Sequence, residues 1–384
     1  MELQIYKPLN FITMASSELI SVIDKFNSNI WTERFNGYGD FELYIPIRDK
    51  QFLNLIANNG SLDIRDFMVD LKGSDSTMII DGIEIETDIE NGDYVSITGK
   101  SLESILERRI INKQTILKGN INNCIKKLLK ENAINPSDSK RKITGLEFEN
   151  SSDTYILETK ISAQQITGDN LYDAIFSLCE ACDIGFEIKR KYYKTGNIND
   201  FNKFVFRLKR GEDRSKEQFK NPWVVFSNEF GNIFTSNYLN SNSNLKTYAL
   251  IAGEDLGIGT NRKTREIYIP NYENNINWRL RELFVDARDI QSELDDGTTM
   301  PESDYNEALD ERGYEKLSEH LPIDSIEGEF DPNGNFKLGR DYFLGDIVQT
   351  EYPITGVSKR ARITETILSE NSEGISYIPT IVLL

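Results

Sequence analysis

Two of the three cysteines, Cys179 and Cys182, form a CxxC pair of the kind found in redox and zinc sites. A structural zinc ion needs a tetrahedral set of ligands, but there is no second CxxC, and the single histidine, His320, lies far along the chain. The pair also falls in an amphipathic helical pattern, and the neighbouring Glu180 and Asp183 would raise the thiol pKa values and lower their reactivity. We therefore expect buried or half-buried, unreactive thiols and no metal site.

Three other features could carry catalysis, and each has a plainer structural interpretation. His320 stands at the end of a predicted helix, where the helix dipole stabilises an imidazolium. The glycine-rich segment 253–264 lacks both P-loop and dinucleotide-binding spacings, since Arg262 occupies the third glycine position, and is typical of a loop between strands. Carboxylate pairs such as Asp295 and Asp296 lie in polar segments without an apolar pocket to raise a pKa. We therefore predict no enzyme activity, no catalytic residue and no cofactor.

The composition indicates a folded protein with a strong negative charge. Its 384 residues suffice for about two or three domains. The net charge of −18 argues against a static nucleic-acid clamp, which needs clustered Lys and Arg. The short basic runs at 188–194 and 207–214 are interleaved with strand residues, so we expect them to form solvated strand and turn faces. No apolar run reaches the roughly 20 residues of a membrane span, and no secretory signal is visible, which favours synthesis in the cytoplasm.

The first hundred residues carry strand patterns. The segment NIWTERFNGYGDFELYIPI (29–47) alternates apolar and polar residues on both sides of a turn at 36–40, where the residues tolerate positive φ. A second hairpin is predicted over 83–98, with its turn at 91–93, and a short helix follows over 101–111. We interpret residues 1–111 as a small barrel or sandwich closed by this helix.

Residues 112–218 combine helical and strand patterns. Apolar residues recur at helical spacing in both predicted helices; the first ends before Pro136, and the second is capped by Asp169 or Asn170. The predicted elements are a helix at 120–132, a strand near 155–158, a helix at 169–183 and a hairpin of 184–193 with 202–210. This order favours an inserted α+β domain.

Strand patterns return in residues 219–384, which we assign to a second β domain with a helical insertion near 279–320. The predicted elements are strands in 222–227, 244–254 and 265–270, a helix at 301–320 with Pro301 in its first turn, a hairpin on 332–334 and a final hairpin around 371–374. The fold class predicted from the whole pattern is α+β and β-rich.

Six segments occur in an order that resembles the tail-hub, or baseplate-hub, family of long-tailed, siphovirus-type bacteriophages, also found in phage-derived injection machines. They are 30–47, 81–111, 227–238, 281–290, 309–320 and 341–350 with 361–367. The resemblance implies a homotrimer in which each chain carries two tail-tube-like β-barrel domains. Three chains would then present a pseudo-sixfold ring to a hexameric tail tube.

The resemblance also implies partners and a location. The chain would lie in the virion tail, at its distal tip or baseplate, with tail tube protein or distal tail protein above. Spike, fibre or tape-measure protein would lie below, and DNA or an effector would pass through the lumen without specific binding. Acidic side chains lining that lumen would repel DNA phosphates, although solubility alone also explains the charge.

The aromatic residues of the first hairpin are the candidate interface. We predict that Trp31, Tyr38 and Tyr44 meet a neighbouring chain, because aromatic residues are enriched in interface cores. The alternative is that Trp31 and Phe35 fill their own barrel. Two other functions stay open: a receptor- or glycan-binding tail-tip protein, and a tail-associated cell-wall hydrolase.

Overall fold

The computed structural model describes residues 1–8, 17–88, 92–192, 202–255, 262–270, 272, 277–293, 297–330, 334–353 and 356–384. Strands dominate these residues and helices are fewer, so the α+β, β-rich class is confirmed. No helix in this part of the chain has the length and apolar surface that a bilayer crossing requires.

The N-terminal region forms an antiparallel sheet with one helix. Both predicted hairpins are confirmed: Trp31 lies opposite Phe41 in the first, and Ile85 lies opposite Val95 in the second. Asn91 of the second turn lies outside the described residues. The elements are β1 (Leu3–Pro8), β2 (Ser17–Ile23), β3 (Ser28–Arg34), β4 (Asp40–Pro46), α1 (Lys50–Asn59), β5 (Met68–Leu71), β6 (Thr77–Asp88) and β7 (Gly92–Ser101).

The helix predicted over 101–111 is a shorter 3-10 helix, Leu102–Arg108. It ends because the following backbone turns to the inserted region: the Ile111 amide donates to the Asp169 carbonyl at 2.8 Å, and the Leu171 amide donates to the Arg109 carbonyl at 2.9 Å. The helix boundary is thus set by a contact with residues about sixty positions away.

The inserted region contains both predicted helices and the predicted hairpin. Asn120 and Asn170 cap the helices, because their side-chain oxygens accept from the Asn123 and Tyr172 amides. The loop between the hairpin arms lies outside the described residues at 193–201. The elements are β8 (Thr115–Asn120), α2 (Ile121–Leu129), β9 (Leu146–Glu149), α3 (Thr154–Glu158), β10 (Lys160–Ile166), α4 (Leu171–Ala181), β11 (Gly185–Tyr192) and β12 (Asn202–Lys209).

The strand predicted near 155–158 is wrong, since these residues belong to helix α3. The Asp153 side chain accepts from the Ile156 amide at 3.1 Å and so caps a single helical turn. The periodicity of a short apolar run does not show whether the run forms a strand or a helical turn. Here the Asp153 cap stabilises the helical turn.

The C-terminal region contains the predicted helix, now α5, and the predicted final hairpin, β20 with β21. Pro301 occupies the N-cap position of α5. The elements are β13 (Val225–Ser227), β14 (Ile233–Ser241), β15 (Tyr248–Ala252), β16 (Thr264–Tyr268), β17 (Glu282–Asp286), α5 (Glu302–Ser318), β18 (Ile323–Phe330), β19 (Ile347–Tyr352), β20 (Val357–Asn371) and β21 (Gly374–Leu383).

The predicted hairpin with its turn at 332–334 is wrong, because the described residues on the two sides of that turn do not pair with each other. Residues 331–333 themselves lie outside the described residues. Strand β18 pairs with β14 and β21, whereas residues 334–336 form bends. The Pro-Asn-Gly sequence is a strong turn signal, but the partners of β18 come from elsewhere in the chain.

Thirteen of the described strands form one sheet. Its main path runs β14-β18-β21-β20-β3-β4-β7-β6-β5-β1-β2, and β19 and then β13 branch from β20. The joint between N-terminal and C-terminal halves is the antiparallel pair β3–β20, in which Leu368 lies opposite Trp31. Within the described strands this path has two ends and does not close into a barrel. The smaller sheets are β8 with β10, β9 with β12 and β11, and β16-β15-β17, which packs on α5.

Candidate assembly interface

Trp31 lies in the core of its own chain. Its side chain is 2% exposed, and its ring centroid is 5.7 Å from that of Phe41. The alternation along β3 places Trp31 on the same face as Phe41 and Leu368, and this face packs against the N-terminal core. Of the two interpretations of Trp31, filling the chain's own core agrees with this placement.

The tip of the first hairpin, residues 35–39, docks onto helix α4 of the inserted region. The Tyr38 amide donates to the Tyr172 hydroxyl at 3.1 Å, and the two ring centroids are 4.9 Å apart. Gly37 has φ +107°, and a Cβ there would lie 2.9 Å from the Tyr172 hydroxyl. Glycine is therefore needed both for the backbone conformation and for the close approach. Tyr38 is half-buried in this contact within one chain.

Phe35 occupies the point where the three regions of the chain meet. A Cβ on Gly185 or on Gly345 would lie within 2.6 Å of its ring. The Arg362 guanidinium stacks 4.9 Å from the ring centroid and donates to the Gly345 carbonyl at 2.7 Å and to Asp183 at 2.5 Å. We call these five residues, Phe35, Asp183, Gly185, Gly345 and Arg362, the hairpin-tip junction.

A buried carboxyl group lies beside this junction. Glu103, in the 3-10 helix, accepts from the Ser101 hydroxyl, which accepts in turn from the Gly39 amide at 2.8 Å. Its other oxygen accepts from the Ile188 amide of β11 at 2.6 Å. Burial raises the pKa of Glu103, because desolvation penalises the carboxylate more than these hydrogen bonds stabilise it. Sequence reasoning missed this residue, since nothing in the pattern distinguishes it from a solvated glutamate.

Several backbone edges of the large sheet, including those of β2 and β13, have no partner strand in the described part of the chain, and two of them lie on β14 and on the outer part of β6. Strand β14 pairs with β18 on one side only. Strand β6 pairs with β5 through residues 77–79, then continues to Asp88 with β7 alone beside it. An unpaired strand edge presents free N–H and C=O groups and is a template for a strand of another chain.

The sheet face opposite the N-terminal core is acidic and carries Tyr44. Glu42 on β4, with Glu84 and Glu86 on β6, is exposed on this face. The Tyr44 ring is half-buried and stacks on Tyr94, with centroids 4.8 Å apart. Of the three predicted interface residues, Tyr44 is therefore the one that lies on an outward-facing sheet surface.

The cysteines are buried or half-buried, as predicted. Cys124 and Cys179 are buried in the inserted region, and Cys182 is half-buried. Burial raises the pKa of Cys182 to about 11 and that of Cys179 well above its usual range, so both thiols stay protonated near neutral pH. Among the described residues, no three His, Cys, Asp or Glu side chains converge as metal ligands. His320 lies two residues beyond the last residue of α5, and its amide donates to the Leu317 carbonyl.

Several residues of the basic runs depart from the predicted solvated position: Lys189, Lys209 and Arg214 are 20%, 19% and 13% exposed, and Arg190 is the most buried. The Arg190 side chain is 5% exposed, lies 4.3 Å from the Tyr6 ring centroid and donates to Asp70 at 2.9 Å. It joins β11 to the N-terminal sheet because its aliphatic part packs while its charge is paired. Lys191 and Arg207 are about half exposed, as expected.

The fold matches those of prophage tail proteins. The 43 kDa tail protein of prophage MuSo2 from Shewanella oneidensis aligns with 100% of this chain and 98% of its own, at 12% identity and a TM-score of 0.55. The prophage tail protein gp18 from Listeria monocytogenes aligns with 100% of this chain and 94% of its own, at 14% identity and a TM-score of 0.51. A tail protein from Neisseria meningitidis gives 11% identity and 0.50, with 100% and 96% covered. At these identities the likeness establishes a shared fold.

The sequence itself also matches a family. No curated protein sequence gives a significant match. The family model for the Siphovirus ReqiPepy6 Gp37-like protein matches residues 4–381, which include both hairpins, the inserted region and the C-terminal strands. The resemblance to a siphovirus-type tail family, indicated by the ordered segments, is thereby confirmed. The chain belongs to the siphovirus ReqiPepy6 Gp37-like protein family.

Proposed function

We propose that this protein is a structural hub of a phage-type tail, acting as a trimeric ring that adapts a hexameric tail tube to the distal tip. The observation that supports this proposal most directly is the single sheet that runs through both halves of the chain and leaves edges of β6 and β14 without a partner among the described strands. Such edges favour assembly by strand addition between copies. The family membership and the fold shared with prophage tail proteins support the same conclusion.

The strand order supports the match between three chains and a sixfold tube. On either side of the β3–β20 joint lie four antiparallel strands, β14-β18-β21-β20 and β3-β4-β7-β6. In our proposal each set belongs to one tail-tube-like barrel, and the β14 edge of one copy pairs with the β6 edge of the next. This contact is heterologous, and heterologous contacts generate rings when the rotation closes. Residues 1–111 and 219–384 then form the ring, and residues 112–218 form the inserted domain.

The acidic sheet face would give the proposed lumen a negative charge. Glu42, Glu84 and Glu86 would line the conduit and repel DNA phosphates, so the genome or an effector passes without adhering. Tyr44 would contact the neighbouring chain, and Trp31 and Tyr38 would hold its hairpin from within. The partners are tail tube or distal tail protein above and a spike, fibre or tape-measure protein below. The role is non-enzymatic and located in the virion tail.

The oligomeric state and the sheet edge test this proposal together. Light scattering should give three times the chain mass of 44.1 kDa, and electron microscopy should show rings that stack on tube protein. Ile85→Pro and Glu86→Pro form a matched pair, because adjacent strand residues direct their N–H groups to opposite sides. One variant should lose assembly while staying folded. A chain that is monomeric at all concentrations, with and without tube protein, would contradict the ring.

A further inference from the structure

The loop 211–224, here called the Phe219 loop, is held rigid by its own side chains. The Gln218 side-chain oxygen accepts from the Lys220 and Asn221 amides, both at 2.7 Å. Its amide group donates to the Ser215 and Asn221 carbonyls, and Trp223 Nε1 donates to the Gln218 carbonyl at 2.8 Å. The conformation of this loop is therefore fixed before any partner binds.

The base of the Phe219 loop is anchored to the C-terminal strands. Arg214 Nε donates to the buried Asp346 carboxylate at 2.7 Å, and the Glu212 amide donates to its other oxygen at 2.7 Å. Lys216 pairs with Glu351 on β19 at 2.5 Å. The loop thus moves with the sheet as one body.

This rigid loop presents an aromatic ring and a cation to solvent. Phe219 at its tip is 91% exposed, and its ring centroid lies 6.3 Å from that of Trp223. Lys220 is exposed, and no ion pair of the described residues includes it. A preorganised aromatic side chain loses little conformational entropy on binding, which is typical of residues that dominate interface energetics.

A groove of complementary chemistry lies between helices α4 and α5 on the same chain. Its volume is about 530 Å³, and its apolar floor includes Ala174, Leu178 and Ala308. Tyr314 is exposed and lines the same groove. The groove is large enough to admit a phenyl ring.

The lining of this groove is acidic on balance, because the cations Arg312 and Lys316 are outnumbered by carboxylates, two of which, Glu315 and Glu319, pair with them. Asp169, Asp173 and Glu311 line it, and none of them has an ion pair among the described residues. Burial raises the pKa of Asp169, and the nearby Arg312 guanidinium, which lowers it, does not offset this effect. A cation entering the groove would stabilise the ionised form of these carboxyl groups.

We infer that the Phe219 loop of one copy docks in the α4–α5 groove of a second copy, with Phe219 against Leu178 and Tyr314 and Lys220 against Glu311. The inference rests on the proposed trimer and names a contact that the sheet edges do not supply. Each chain carries a net charge of −18, so copies repel one another unless cations are placed against carboxylates at their contacts. The loop and the groove offer that pairing together with an apolar anchor.

Variants of the loop test the contact by dilution of the assembled protein. Phe219→Ser and Lys220→Glu should each raise the dissociation constant of the trimer by at least about tenfold, measured by sedimentation. Trp278→Ser is the matched control, since Trp278 is 84% exposed and belongs to neither surface. Combining Lys220→Glu with Glu311→Lys should restore association. Circular dichroism checks that each variant is folded.

A cross-link identifies the two surfaces directly. A carbodiimide joins Lys220 to Glu311 only where their side chains touch, and a mixture of isotope-labelled and unlabelled chains distinguishes copies. A linked peptide with one labelled and one unlabelled half supports the contact. A trimer that lacks this peptide and is unaffected by both loop variants overturns the contact and leaves the ring standing. A wild-type chain that stays monomeric overturns both.

Discussion

Two aromatic turns of this molecule are each held by hydrogen bonds to side chains and are used differently. At the hairpin tip, Phe35 is 4% exposed and wedged between glycines of two other regions. At the Phe219 loop, Phe219 is 91% exposed although hydrogen bonds fix the loop around it. Rigidity alone therefore does not show whether an aromatic residue stabilises its own chain. The difference lies in the neighbours: Phe35 packs against Gly185, Gly345 and Arg362 of other regions of the chain, whereas Phe219 meets solvent.

The largest expected effect is a difference in unfolding free energy between alanine variants of Phe35 and Phe219. Phe35→Ala should lower the free energy of unfolding by about 3–5 kcal/mol, because it leaves a cavity where three regions meet. Phe219→Ala should change it by less than about 0.5 kcal/mol. Chemical denaturation of the two variants under one condition measures both values. Equal losses of unfolding free energy would contradict the placement of Phe35 in the interior and of Phe219 at the surface.

A glycine pair sharpens the claim that the junction needs space beside Phe35. Gly345 (φ +95°) and Gly356 (φ +68°) share a left-handed backbone, but only at Gly345 would a Cβ strike Phe35, at 2.4 Å. Gly345→Ala should cost about 2–4 kcal/mol through strain and overpacking. Gly356→Ala carries the backbone strain alone and should cost about 1–2 kcal/mol. Thermal unfolding compares them, and a Gly356→Ala loss as large as that of Gly345→Ala would refute the steric argument.

The buried Glu103 beside the junction predicts a pH dependence of stability. Its folded-state pKa lies above the ordinary 4.5, so between these two pKa values the folded protein holds a proton that the unfolded chain has lost. The free energy of unfolding should therefore fall as pH rises from about 4.5 through the raised pKa. Glu103→Gln removes the proton exchange; its amide oxygen can still accept from the Ile188 amide, while its NH2 group must donate to the Ser101 hydroxyl instead of accepting from it. The pH dependence of the difference between wild type and variant across this range therefore reports the proton exchange. A difference that does not vary with pH would contradict the buried, proton-holding site.

The smallest effect concerns the rigidity of the exposed turn. Gln218→Ala removes the acceptor of the Lys220 and Asn221 amides but lies outside the core. The loss of unfolding free energy should be about 1 kcal/mol or less, whereas hydrogen exchange at these two amides should become faster. Exchange at the Tyr38 amide, in the buried turn, is the internal reference. Unchanged exchange at Lys220 and Asn221 would mean that Gln218 does not fix the loop.

The elements most accurately predicted from sequence are those with a strong local pattern and a clear boundary. The hairpin of β3 and β4 has strict alternation around a glycine-rich turn, and α2 and α4 have helical spacing with asparagine caps. Short or ambiguous segments failed: residues 155–158 fold as a capped helical turn, and β18 takes partners remote in sequence instead of forming a local hairpin.

The candidate surfaces were less accessible to sequence reasoning. Trp31, Tyr38 and Tyr44 are all aromatic residues of the first hairpin, yet their environments differ. Trp31 fills the core, Tyr38 packs on α4, and Tyr44 stacks on Tyr94 on the acidic sheet face. The alternation along β3 and β4 predicts which residues share a face, but not whether another region of the chain covers it. Phe219 has no periodic pattern around it, so no local signal distinguished it from a buried phenylalanine.

The sequence by itself determined the β-rich class, the main hairpins and helices, the buried thiols and the family. All of these except the family depend on local conformational preferences and on residue patterns that are read within a short window, and the family depends on the order of six such patterns along the chain. Only the tertiary structure decided the β3–β20 joint, the three-region junction at Phe35, the buried Glu103 and the edges of β6 and β14 that no described strand covers. Each depends on which distant segments exclude water from one another, and that is a property of the assembled chain.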